Sequence, residues 1–148
     1  MKLIVQRVRQ ASCTVGNTVT GSIEHGLVVY VGFTQGDTIT DISYLARKLV
    51  HLRIFEDEQG VMNTSLLDHS YAILSISQFT LYGDTTKGHR PSYTNALHPE
   101  QAEPLYQSFN QELRSYGVDV QTGRFGAHMI IVQTNDGPVT IELRSKLK

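Results

Sequence analysis

The stretch Leu27-Val28-Val29-Tyr30-Val31 is apolar at every position. A strand with one face in water alternates apolar and polar residues, so an unbroken run predicts a strand covered on both faces. That element demands a layered fold, with chain packed on either side of it. The rest of the sequence supplies the layers. Lys2 to Arg9 and Val19 to Ile23 read as strands, the second separated from Leu27–Phe33 by the turn signal His25-Gly26. Tyr71 to Tyr82 reads as a central strand, and Val118–Gln121, Met129–Gln133 and Val139–Leu143 as three more. Ile54-Phe55 and Met62–Leu67 are short apolar pieces around the turn Glu58-Gln59-Gly60.

Two segments carry helical periodicity instead. From Thr38 to about Leu52, Ile42, Leu45, Ala46, Leu49 and Leu52 fall on one face, and Thr38 with Asp41 has the spacing of a capping box. A second helix opens at Pro99, has Glu100 and Glu103 near its positive end, lines up Leu105, Phe109 and Leu113, and stops at Gly117. Pro104 predicts either a kink or a regular part that begins there. Many strands, two main helices and short turns point to an α+β fold with a largely antiparallel, barrel-like sheet, and 148 residues suit one domain, 1–148.

Composition narrows the function. Lys and Arg number 13 against 14 Asp and Glu, a formal net charge of −1, which argues against clamping duplex nucleic acid by its phosphates. Any RNA contact must be local or read a single-stranded end. Cys13 is the single cysteine, which excludes an intrachain disulfide and suits a reducing, cytoplasmic compartment. No apolar run is long enough to span a bilayer, and Lys2–Arg9 is not read as a signal peptide, because its apolar stretch is too short and no small-residue cleavage site follows. The 6 histidines have no paired metal-ligand spacing, so neither a metal nor another cofactor is expected. His25, His51, His69 and His98 read as surface or turn residues.

Three segments offer chemistry, each against an ordinary alternative. Ser77-Gln78-Phe79-Thr80 closes a strong strand: either plain alternation in a sheet, or polar groups and free amides converging where the strand ends, as an oxyanion hole requires. Thr80 is a possible nucleophile, although no base neighbours it in sequence. Lys87-Gly88-His89-Arg90-Pro91-Ser92 is either a solvated turn or a contact for RNA phosphates. Asn135-Asp136-Gly137-Pro138-Val139 reads as a hairpin turn between two strands, and spacing leaves the isomer of the Gly137-Pro138 bond open.

Taken together, Ser77–Tyr82, Lys87–Ser92, Gly123-Arg124-Phe125-Gly126-Ala127-His128-Met129 and Asn135–Thr140 resemble the D-aminoacyl-tRNA deacylase family over nearly the whole chain. Val5-Gln6-Arg7-Val8 and Leu52–Asp57 are similar as well. Tyr93 stands where phenylalanine is usual, Val61 where lysine is, and Glu24 where glycine is common. The resemblance implies a cytoplasmic homodimer acting on the aminoacylated tRNA 3′ end, with no membrane or DNA partner. Gln78, Phe79 and Thr80 are then the candidate catalytic residues, and Ser77, Lys87, Arg90, Phe125, Ala127 and Met129 the candidate substrate-binding ones. Gly137 and Pro138, joined by a cis bond, would reach into the partner's site and exclude L-amino acids. Glycyl-tRNA would escape that exclusion, and the adenosine 2′-hydroxyl would assist the chemistry. Two rivals make different demands: a non-catalytic RNA-end-binding module, and a hydrolase of small D-amino esters or peptides.

Overall fold

The computed structural model describes residues 1–146. Its spine is a 14-residue strand, β1 (Lys2–Val15). One edge of β1 is shared: its first half pairs antiparallel with β3 (Gly26–Gly32), its second half with β2 (Thr18–Ile23). Its other edge pairs antiparallel with β8 (Ile130–Arg144). Beyond β3 lie β6 (Ala72–Ser77) and β7 (Val120–Thr122), both in parallel ladders. The sheet order β2-β1-β3-β6-β7 curls until β7 nears β2: a Cβ on Gly21 would lie 2.6 Å from the Thr122 carbonyl. The α+β, barrel-like expectation therefore holds, with a mixed sheet of three antiparallel and two parallel ladders.

The parallel ladders need long crossovers. The first runs through α1 (Ile39–Val50), the short pair β4 (Phe55–Glu56) and β5 (Met62–Thr64), and the one-turn α2 (Leu66–His69). The second runs through α3 (Pro99–Ser115). The α1 capping box forms as its spacing predicts, the Thr38 amide donating to the Asp41 carboxylate at 2.8 Å. The α2 turn was hidden in an apolar stretch, although Ser65 and Asp68 carry the same box, at 2.7 Å. Pro104 neither delays nor ends α3, which is continuous from Pro99.

The two faces of β3 are both covered. Leu27, Val29 and Val31 pack with α1 and α3, while Val28 joins Cys13, Ile23, Leu74 and Ile76 in a second cluster. Each of Leu27, Val28 and Val29 is 0% exposed, as the unbroken apolar run requires. Gly26 is needed for proximity rather than for a turn: a Cβ there would overlap the backbone carbonyl of Ala72 on β6.

Two expectations are corrected. β1 runs past Arg9 to Val15: at Val8–Gln10, where the register with β8 shifts, its buried side chains pass from the main core of Leu3 and Val5 to the second cluster, with Val8, Ala11 and Cys13. Nor is Asn135–Val139 a hairpin turn. Both flanks pair with β1, Thr140 opposite Gln6 and Asn135 opposite Val8, so residues 136–139 bulge out of one continuous strand opposite Arg7. A turn and a bulge call for the same Asn, Asp, Gly and Pro residues, and only the ladder distinguishes them.

Candidate active site

Because β3, β6 and β7 run parallel, their carboxyl ends emerge at one edge of the sheet, where loops can enclose a ligand. A cavity of about 660 Å³ lies there. Val31 and Phe33 come to it from the end of β3, and Ile76, Ser77 and Gln78 from the end of β6. Phe125 to Met129 follow β7, and His98, Pro99 and Ala102 belong to the start of α3. The positive end of the α3 dipole thus abuts the cavity.

Hydrogen bonds fix the floor. The Gln78 amide donates to the Val31 carbonyl at 2.8 Å, extending the β3–β6 ladder by one rung. Phe79–Tyr82 then tightens into a 3-10 turn, closed by Leu81 N–H to the Gln78 carbonyl at 3.2 Å. The amides of Phe79 and Thr80 open that turn, so no helical carbonyl stands behind them. The Gln78 side-chain amide donates to the Thr80 hydroxyl. Behind the cavity, the Tyr106 hydroxyl of α3 donates to the Ser75 carbonyl at 2.7 Å, and its ring lies 5.9 Å from that of Phe125. Burial pushes the Tyr106 phenol above its ordinary pKa, which keeps it a donor to Ser75. Gly126 has φ +74°, a left-handed conformation that a side chain disfavours, and so lets the chain turn sharply between Phe125 and Ala127.

The cavity brings together Ser77, Gln78, Phe79, Phe125, Ala127 and Met129, which are separated by almost fifty positions in sequence. Thr80 sits beside it, exposed, with no carboxylate or imidazole bonded to its hydroxyl among the described residues. Lys87 and Arg90 are exposed on a hairpin closed by Asp84 and Ser92, whose amides and carbonyls pair at 2.8 and 2.9 Å. Gly137 and Pro138 do not line the cavity. They are exposed on the bulge, joined by a cis bond, about 20 Å along β8 from Ile131 at the cavity wall. Sequence reasoning missed Tyr93, His98 and His128, which line the cavity too. His98 could have been suspected from its place just before Pro99, the start of α3. Among the described residues no Asp or Glu lines the cavity, and no cluster of three His, Cys, Asp or Glu could hold a metal ion.

The family model described as "D-Tyr-tRNA(Tyr) deacylase" matches residues 4–144, essentially the whole fold including both walls of this cavity. The chain belongs to the D-Tyr-tRNA(Tyr) deacylase family. Membership in this deacylase family makes it a hydrolase. A D-aminoacyl-tRNA deacylase of Halalkalibacterium halodurans is 56% identical over 146 residues, covering 99% of this chain and 100% of that one. A solved structure titled "c-Myc DNA Unwinding Element Binding Protein" is 42% identical with a TM-score of 0.93, covering 99% and 100% of the two chains. Another, titled as a probable eukaryotic D-amino acid tRNA deacylase, has a TM-score of 0.83 at 21% identity, covers 96% and 97%, and shares the fold.

Proposed function

We propose that the protein hydrolyses the ester joining a D-amino acid to the 3′ end of tRNA, and that it does so as one cytoplasmic domain acting in a homodimer. The observation that carries this reading is the convergence, in one apolar cavity, of two family segments distant in sequence, Ser77–Phe79 and Phe125–Met129. Ester hydrolysis passes through an oxyanion. The amides of Phe79 and Thr80, with Gln78 ordering Thr80, are the donors we assign to it, each worth roughly 3 kcal/mol when well placed. Ser77, Phe125, Ala127 and Met129 would hold the terminal adenosine and ester, and Lys87 and Arg90 the phosphates beyond.

A general base is not evident among the lining residues: no carboxylate is present, and the two imidazoles, His98 and His128, stand on the cavity's exposed wall. The adenosine 2′-hydroxyl, adjacent to the ester, is assigned the task of orienting water. Thr80 then acts by position, not as nucleophile. Gly137 and Pro138 would serve the partner's cavity, since they stand exposed on the bulge and do not line their own. Placed against the substrate's Cα there, they would clash with an L side chain and leave a D side chain free. Glycine, lacking a side chain, would be cleaved as well. Exposed Ile130 and Val132 on the edge strand β8 offer apolar surface for the second copy.

The test is to incubate the protein with matched D- and L-tyrosyl-tRNA and follow ester loss. Rapid loss of the D ester alone is expected. Equal loss of both refutes the exclusion model, and binding without turnover supports the RNA-end-binding module. Turnover of free D-tyrosyl esters at the rate of the tRNA ester would favour a small-ester hydrolase. Duplex DNA, given the net charge of −1, is not expected to compete with tRNA at physiological salt.

A further inference from the structure

The mouth of the cavity carries two large aromatic side chains that the fold leaves in water. Phe79 is 58% exposed and Tyr93 40%. Their rings meet edge to face, with centroids 5.0 Å apart and planes at 73°. The pair is braced from below. A Cβ on Gly83 would lie 3.1 Å from the Tyr93 ring and 3.1 Å from the Thr80 carbonyl, so the glycine lets the ring pack closely against the backbone. The hairpin between Gly83 and Tyr93 is closed by the Asp84–Ser92 pair and holds Lys87 and Arg90 in solvent, neither of them in an ion pair among the described residues. A braced aromatic surface thus lies between an apolar cavity and two free cations.

We propose that the Phe79–Tyr93 pair is the stacking platform for the base of the penultimate nucleotide of the tRNA 3′ end. This rests on the deacylase reading above and extends it from the terminal adenosine to the next residue of the strand. Continuity argues for this occupant: Tyr93 both lines the cavity and follows the hairpin that carries Lys87 and Arg90, so a single strand leaving past the pair would run toward those cations. Charge complementarity agrees, because an anionic backbone flanked by bases needs cations and aromatic faces side by side. Stacking reads a π-face, so the platform tolerates any base.

The test compares D-tyrosyl esters of adenosine, of the dinucleotide cytidylyl-adenosine and of whole tRNA. In the wild type, adding the penultimate nucleotide should raise kcat/KM about tenfold, within the range of one base–aromatic stack. Tyr93→Phe should keep that gain. Tyr93→Ala and Tyr93→Leu, the latter retaining apolar bulk, should cut it to within twofold whatever they do to the adenosine ester, with circular dichroism confirming the fold. Fluorescence of 2-aminopurine at the penultimate position, in a non-hydrolysable amide analogue, should be quenched by the wild type and Tyr93→Phe only. A gain that survives both Tyr93→Ala and Tyr93→Leu, or is absent from the wild type, overturns the platform while leaving the deacylase reading intact. A wild type that cleaves none of the three esters overturns both. If Tyr93→Ala sediments at half the wild-type mass, a second copy covers the pair, and the proposal also fails.

Discussion

Arg7 and Asp136 hold the bulge of β8 against the core. The Arg7 side chain is buried, yet it donates from Nε to the Asp136 carbonyl at 3.1 Å and from Nη1 to the Ile54 carbonyl at 2.7 Å. Its Nε also lies 3.4 Å from the Asp136 carboxylate. One guanidinium therefore ties three parts of the chain at the point where residues 136–139 leave the ladder. Replacing it by methionine keeps the bulk, takes the donor from the Ile54 and Asp136 carbonyls, and leaves the Asp136 carboxylate, among the described residues, with only the exposed Arg9, 3.9 Å away. Hydrogen bonds to charged groups contribute about 1.5–3 kcal/mol each, so Arg7→Met should cost roughly 3 kcal/mol in urea unfolding. Asp136→Asn keeps the carbonyl contact and should cost about 1 kcal/mol or less, because the carboxylate is partly in water.

Among the described residues the Thr80 hydroxyl has an amide partner and no base. Thr80→Ala should therefore leave deacylation of D-tyrosyl-tRNA within about tenfold of wild type, since a positioning hydrogen bond contributes about 1 kcal/mol. A complete loss with folding and tRNA binding unchanged would restore the nucleophile. His98→Gln and His128→Gln should each lower the rate only severalfold. A loss at the upper end of the usual general-base contribution, roughly 10⁴-fold, would assign the base to that histidine instead.

Gly123 sits against the sulfur of Met129, with Cys13 Sγ and Ile76 Cδ1 each 3.2 Å from where a Cβ would stand. Met129 has the flexible side chain of the three, so Gly123→Ala should be absorbed by Met129 swinging toward the cavity it lines. The expected signature is a KM for D-tyrosyl-tRNA raised severalfold with little change in melting temperature. An unchanged KM would place the displaced thioether elsewhere.

Asp41 sets an acid limit on stability. Burial alone would raise its pKa, but hydrogen bonds from Ser145 and from the Thr38 amide and hydroxyl, with the charge of Lys146, hold it at about 2 against an ordinary 3.8. A depressed carboxylate stabilises the fold fully above its unfolded pKa, and that contribution is lost as pH falls through the folded value. The urea midpoint of the wild type should thus drop between pH 4 and pH 2. Asp41→Asn should be less stable at pH 6 and show a shallower fall over the same window. Parallel curves for the two proteins would refute the assignment.

Much of this protein is legible in its letters where the governing interaction is local. The Leu27–Val31 run dictates a strand covered on both faces, Thr38 and Asp41 cap α1, and Pro99 opens α3, because each depends on residues within a turn of one another. Ser77–Thr80 and Gly137-Pro138 stood out as local segments, and Phe125–Met129 only through its resemblance to the family. Their spatial relation did not. Two parallel ladders carry Ser77–Thr80 and Phe125–Met129 to one end of the sheet, and the register of β8 on β1 turns a predicted hairpin into a bulge far from that end. Tyr93 and His98 joined the cavity through the packing of a long loop and the start of α3, and His128 through the β7–β8 connection, none of which leaves a periodic trace. Sequence determined which residues prefer which backbone. Tertiary structure alone decided which of them meet, since contacts between distant strands are set by register and closure of the whole sheet.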